Sequence, residues 1–375
     1  MALRNDHYIK SITGLRIIAA YMVYMHHLLQ HEQIKIENIF LKEFILSLNY
    51  GVSIFFVLSG FLISYRYSEY NFCLYSTWRN YIINRIARIY PLYFFLTVLT
   101  FVLSNTLFID NNSNNYLAFC FNITLLKAFS HYYIFTGIEQ GWSLTVEECF
   151  YFTAPLIFLF LTKTRLFSIL FVAYLFGILF ICFQVKIDHI SFNESLRYMF
   201  TYTYFGRIAE FLIGACLSVY IYRKKTFALI HYSRIKTYLS LLIIVLLLCA
   251  NVYLTQHKYC IKEYIPVTGI LVAFINLFLL PICTAIFISG LITEKTIISK
   301  ILSSKLFFML GKSSYAFYLI HFGVIATVIE RCLSFSVGLN FILLNSLSFL
   351  LFFIVEEPLN KKIRIILSKK EFALH

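Results

Sequence analysis

Ten apolar stretches, at about 12–30, 45–65, 89–106, 144–162, 166–184, 200–222, 237–255, 264–290, 306–328 and 335–355, are each long enough to cross a bilayer as a helix. Runs of this length predict an all-α, polytopic integral membrane bundle of about ten transmembrane helices. A composition of 60% hydrophobic and 13% charged residues, with a mean hydropathy of +0.77, lies far outside the range of a soluble domain. The chain shows no internal repeat and no Pro/Ser-rich linker. It reads as a single membrane domain over 1–375, with spans from about 12 to 355 and a short basic tail at 356–375. The polar start MALRNDHYIK is not followed by a cleavage pattern of small residues, so the first apolar run reads as retained.

The net charge of +14 is unevenly placed. With both termini cytoplasmic, most lysines and arginines fall on the inner side, among them Arg66, Arg79, Arg85, Arg88, Lys163, Lys224, Lys225, Lys361 and Lys362. The positive-inside rule therefore accounts for the basicity, and nucleic-acid binding is not needed to explain it. The longest external connection is roughly 107–143, with the polar run DNNSNN at 110–115; the main cytoplasmic connections are about 66–88 and 223–236. In the tail, IRIILSKK fits either an amphipathic segment on an anionic leaflet or a solvated end. Nine cysteines are scattered without a CxxC pair and read as small core residues, although Cys120, Cys260 and Cys332 are placed toward the outer compartment.

Ionisable groups within such spans are costly unless they face a polar interior, so each is a candidate for function. Arg16 and His27, eleven residues apart in TGLRIIAAYMVYMHHLL, make roughly three helical turns and share a face, while His26 points about 80° away. Arg85 and Arg88 form an RxxR pair just before Pro91, at the cytoplasmic entrance of the third span. Their guanidinium forks suit the phosphates of a nucleotide-like donor, and equally suit lipid headgroups. Glu147 and Glu148 lie in the first turns of the fourth span, where the helix dipole favours carboxylates. At least one is expected to face the bundle. Arg207 and Glu210 are spaced to pair on the sixth span, for packing or for a site. Ser314, Tyr318 and His321 form another stripe, and His321 fits a core histidine as well as a site-lining one. By depth, His27, Glu147, Arg207 and His321 are expected in the outer half of the bundle, with Arg85 and Arg88 at its inner mouth. No HExxH-type metal spacing occurs, and no metal is predicted.

At these residues the chain resembles the membrane-bound acyltransferase 3 family, O-acyltransferases that modify bacterial surface glycans and related molecules. The resemblance runs from about Leu15 to Pro358 through ordered blocks: GLRIIAAYMVYMHH, GVSIFFVLSGFLIS, NRIARIYPLYF, GWSLTVEECFYF, RIAEFLIGA, LGKSSYAFYLIH and VEEPLN. The first block carries the family's arginine and, after ten residues, its histidine, which selects His27 over His26. Many members add a C-terminal extracytoplasmic domain; this chain ends soon after its last predicted span. Cys149 stands where glutamine is common, and His26 duplicates the motif histidine.

The resemblance implies transfer of an acyl group, usually acetyl, from cytosolic acetyl-CoA to a hydroxyl of a carbohydrate such as lipopolysaccharide O-antigen or exopolysaccharide. It also implies a multi-pass protein of the bacterial inner membrane, in contact with membrane lipids. On this reading His27 is a general base or transient acyl carrier, a task suited to a near-neutral imidazole. Glu147 orients it, and Arg16 meets the CoA end or supplies a counter-charge. Arg85 and Arg88 bind CoA phosphates, while Arg207, Glu210, Tyr318, His321 and Glu148 line the acceptor site. The rival readings are a transporter or flippase for a glycan intermediate, which more often shows repeated halves, an assembly subunit, and an acyltransferase for a non-glycan small molecule.

Overall fold

The computed structural model describes residues 6–31, 33–68, 70–107, 116–160, 165–223, 235–257, 265–333 and 336–369. The DNNSNN run, Cys260 and several predicted inner charges, among them Lys163, Lys224 and Lys225, lie outside these residues. Among the described residues the regular structure is helical. The first half of the chain forms α1 (Asp6–Gln30), α2 (Ile39–Leu46), α3 (Gly51–Tyr67), α4 (Tyr75–Leu107), α5 (Tyr116–Ile123), α6 (Trp142–Phe160), α7 (Leu166–Ile187) and α8 (Phe192–Tyr202). There follow α9 (Tyr204–Arg223), α10 (Ile235–His257), α11 (Ile265–Phe274), α12 (Leu280–Thr293), α13 (Ile297–Leu302), α14 (Lys305–Ile320), α15 (Val324–Leu333), α16 (Val337–Leu351) and α17 (Glu357–Lys369).

Among the described residues, eight helices are long and apolar enough to cross a membrane, or nine if the bent pair α14–α15 counts as one span. The expected number was about ten. The predicted span at 144–162 is present as α6, but Glu147 and Glu148 reduce its apolar character and it is not among the eight. The predicted span at 306–328 is two helices bent by 88° at 321–323. The third predicted span starts far earlier than its apolar run, because α4 has 33 residues and continues through the basic segment. At 1.5 Å per residue it is about 50 Å long, well beyond a hydrocarbon core of about 30 Å. The described part of the basic tail is helical: α17 runs to Lys369, and the Arg79 Nη2 of α4 donates to its Leu367 carbonyl at 3.0 Å.

Two π-turns mark the long helices, at Ile275–Leu279 and Phe352–Glu356. Each ends two residues before a proline, Pro281 and Pro358. A proline inside a helix has no N–H for the carbonyl four residues back and collides with it. Those carbonyls belong to Leu277 and Ile354, both within the π-turns, where the wider winding relieves the collision.

The chain divides into two compact units, residues 1–68 with 209–312 and residues 69–208 with 313–375. In the first, a hydrophobic core runs from Ile12, Leu15 and Ala19 of α1 through Val57 and Phe61 of α3 to Leu248 of α10 and Ile288 of α12. Its helices meet backbone to backbone. A methyl group on Gly60 of α3 would sit 2.1 Å from the Phe211 carbonyl oxygen of α9, and one on Gly214 of α9 would sit 2.1 Å from the Val57 carbonyl oxygen of α3. Small residues permit such approach between membrane helices. This is the physical content of the FFVLSGFLI and RIAEFLIGA blocks. In the second unit, α4 packs against α6, α15 and α17.

Candidate active site

In the first unit, α1 carries the arginine and both histidines. Arg16, His26 and His27 are each half-buried. The Nδ1 of His26 lies 2.6 Å from the Leu46 carbonyl at the end of α2, and a carbonyl only accepts, so this nitrogen carries the proton. His26 is thereby tied to the chain, with its ring edge-on to His27 at 5.1 Å between centroids. Glu210 is fully buried on α9 and belongs to this unit, whereas Arg207, one turn earlier, belongs to the other.

The second unit gathers most of the remaining candidates. Arg85 of α4 is only 3% exposed, and its guanidinium carbon lies 6.0 Å from the Tyr81 ring centre and 5.7 Å from that of Tyr151. The Tyr81 hydroxyl donates to the Tyr151 carbonyl at 2.9 Å, and the Tyr151 hydroxyl donates to the Glu147 carboxylate one turn back along α6. Arg85 and Arg88 both lie within electrostatic range of Tyr151, and Arg85 and Glu147 within range of Glu148. Tyr315 of α14 donates to the Ile89 carbonyl, two residues before Pro91, at 2.9 Å and sits in the field of Glu147, Glu148 and Glu356. Arg85 thus shares one polar network with Glu147, Glu148, Tyr151 and Tyr315, built where α4, α6 and α14 meet, and Arg88 lies within electrostatic range of it through Tyr151.

A second cluster lies at the break after α14. Tyr318 and His321 are buried there, with His321 just past the helix end instead of on its stripe. The Gln140 Nε2 donates to the Tyr318 and Leu319 carbonyls at 2.9 and 2.8 Å, satisfying oxygens that a helix end leaves open. Ser143 Oγ lies 2.8 Å from the Tyr318 hydroxyl and donates to the Gln140 carbonyl at 3.0 Å. The His321 Nδ1 lies 2.8 Å from the Tyr318 carbonyl, so it carries the proton, and in the neutral ring Nε2 presents a lone pair. Tyr318 is also within electrostatic range of Glu147 and Arg207, which joins this cluster to the network above.

One buried cation in this unit escaped the sequence reading. Lys127, in the external connection, is 0% exposed, and its Nζ donates to the Thr136 carbonyl at 2.6 Å, the Ile138 carbonyl at 2.7 Å and Asn122 Oδ1 at 3.2 Å. Between the two carbonyls Gly137 adopts a φ of +65°, a left-handed turn that glycine tolerates. Burial pushes the Lys127 ammonium down from 10.5 to about 7, opposed by the nearby Glu139. Only its apolar flanks in ITLLKAFS hinted at burial.

Among the described residues, no three His, Cys, Asp or Glu side chains gather as a metal site. No solved structure matches the chain. Proteins of Staphylococcus aureus strains COL and MSSA476, each named "Putative O-acetyltransferase", are 26% identical to it over 337 residues, which cover 86% of this chain and 51% of theirs. The chain thus spans about half the length of the curated relatives it matches. The family described as an acyltransferase domain matches residues 9–356, through every block that builds the two polar clusters and the glycine contacts; the chain belongs to the acyltransferase 3 family.

Proposed function

We propose that this protein is an integral membrane O-acyltransferase that moves an acetyl group from cytosolic acetyl-CoA to a hydroxyl of a cell-surface carbohydrate, such as lipopolysaccharide O-antigen or exopolysaccharide, at the bacterial inner membrane. The observation that carries the reading, beside family membership, is the network of Arg85, two glutamates and three tyrosines inside the second unit, with Arg88 in its range, a large commitment of charge for an apolar chain. Structural packing alone rarely calls for so many ionisable groups.

In the reaction, the acceptor hydroxyl oxygen attacks the thioester carbonyl as a base takes its proton, and the C–S bond breaks with that proton passed to the departing sulfur, which releases CoA as its thiol. His27 is the base, or the transient carrier of the acyl group; Arg16 supplies a positive charge to the donor or to the developing oxyanion. Arg88, which is half-buried, has surface to offer a donor phosphate, while the enclosed Arg85 holds the Tyr81–Tyr151–Glu147 array in place. His26, committed to the Leu46 carbonyl, is structural. Tyr318, His321, Arg207, Glu148 and Glu210 serve the acceptor side.

Purified protein is expected to transfer label from acetyl-CoA to the carbohydrate acceptor. A positioned base contributes about 10²–10⁴-fold, so His27→Ala is expected to lose at least about 10²-fold in kcat. His26→Ala is expected to lose far less. Full activity in a well-folded His27→Ala protein would remove the assignment, and absence of transfer by the wild type to any carbohydrate acceptor would remove the reading.

A further inference from the structure

Lys127 makes three hydrogen bonds in a place without solvent, and none of them belongs to the proposed chemistry. Three acceptors surround the Nζ, two of them the carbonyls of residues 136 and 138; the protonated amine has a donor for each of the three and the neutral amine for two. Asn122 is held in turn by its own bonds: its Nδ2 donates to the Ala118 carbonyl and Thr136 Oγ1, both at 2.9 Å, and its carbonyl accepts from the Tyr93 hydroxyl at 3.1 Å. The lysine therefore fixes the turn at 136–138 onto α4 and α5. Two residues on, the same backbone presents Gln140, whose amide clamps the last carbonyls of α14, and the Tyr318 carbonyl also receives the His321 Nδ1–H.

We infer that Lys127 is a positioning residue for acyl transfer: through the turn at 136–138 and the Gln140 amide, it sets the orientation and tautomer of His321. The inference rests on the reading that His321 serves the acceptor side of the reaction. A lysine that merely tied down a loop would not need to be linked, bond by bond, to the one histidine at the helix break. Among the described residues, the charged group that acts on the lysine is Glu139, on its own connection, and the Tyr93 hydroxyl of α4 lies with the lysine Nζ against Gly141.

Two readouts on the full chain in detergent test this. In protein labelled with ¹⁵N-histidine, the His321 signals, identified by their loss in His321→Ala, are expected to show the Nδ1–H tautomer in the wild type and a tautomer mixture in Lys127→Met. In the acyl-transfer assay, a misplacement of about 1 Å costs about 10²-fold, so Lys127→Met is expected to lower kcat by that order with little change in KM for acetyl-CoA. In a His321→Ala background it is expected to lower kcat no further, because both changes break one chain. Equal losses with and without His321, or an unaltered tautomer signature in Lys127→Met, overturn the inference. If Lys127→Met does not accumulate, Gln140→Met leaves the lysine's bonds intact, removes the clamp, and is expected to show the same tautomer mixture and the same non-additivity. If the wild type transfers no acetyl group, the proposed activity fails while the tautomer measurement still decides the positioning role.

Discussion

Two buried ionisable side chains among the described residues, Lys127 and Glu294, are held by backbone groups. Glu294 accepts from the Lys236 N–H at 3.1 Å and the Thr237 N–H at 2.9 Å, and from Thr237 Oγ1 at 2.7 Å. These N–H groups open α10 and have no partner within the helix, so the carboxylate caps the span electrostatically as well as by hydrogen bonds. Hydrogen bonds to a charged group contribute about 1.5–3 kcal/mol each, and Glu294→Ala is expected to cost about 2 kcal/mol or more, seen as a lower unfolding midpoint in detergent. An unchanged midpoint would show that α10 starts without this cap. Gln140 performs the complementary task at a helix C-terminus with an amide, because there the open groups are acceptors. Neither role was legible from sequence. A cap fifty-eight residues away, or an amide that reaches from one helix start to another helix end, has no periodicity to betray it.

At the scale of elements, glycine and proline explain features that hydropathy leaves blank. Gly60 and Gly214 let α3 and α9 touch at the backbone, where a methyl group would collide with a carbonyl oxygen that cannot turn away. Gly60→Ala is therefore expected to reduce membrane accumulation or thermal stability strongly, by overpacking of about 1–3 kcal/mol. Gly269→Ala in α11, with no atom within 4 Å of the added carbon, serves as the control and is expected to be neutral. Equal behaviour of the two would contradict the close contact. The apolar runs did reveal most spans, because burial in lipid demands length and composition and little else. They missed where α4 begins, since Arg79, Arg85 and Arg88 interrupt hydropathy without interrupting the helix, in which Arg85 is enclosed and Arg79 and Arg88 are half-buried. They also missed the break at 321–323, because HFG is no more polar than its surroundings and the bend depends on Gly323, at φ +82°.

For the molecule as a whole, the choice of a buried lysine links stability to pH. Its folded value of about 7 lies below the 10.5 of an unburied lysine, so between these the unfolded chain binds a proton that the folded one lacks. Stability is then expected to rise with pH from about 7 toward 10, by up to about 1.4 kcal/mol per unit from this group. Unfolding midpoints measured at pH 7, 8 and 9, taken as the difference between wild type and Lys127→Met, check the sign; a difference that falls or stays flat would contradict it. The resemblance read from seven sequence blocks reached the family, and it did so through residues with two kinds of work: glycines for helix contact and ionisable groups for the polar networks. What it could not convey was that Arg85, Glu147 and Glu148 share one network with Arg88 in its range, because helix order fixes depth only loosely while contact between α4 and α6 fixes it locally.

The 88° turn between α14 and α15 has a consequence for the surrounding lipid. A straight span meets a thicker or thinner bilayer by changing its tilt. A helix broken at a right angle has no single axis to tilt, and its joint is fastened by Gln140 to another helix. Mismatch is therefore absorbed by the straight helices and, beside the broken pair, by the bilayer itself, which must stretch or thin to fit the protein.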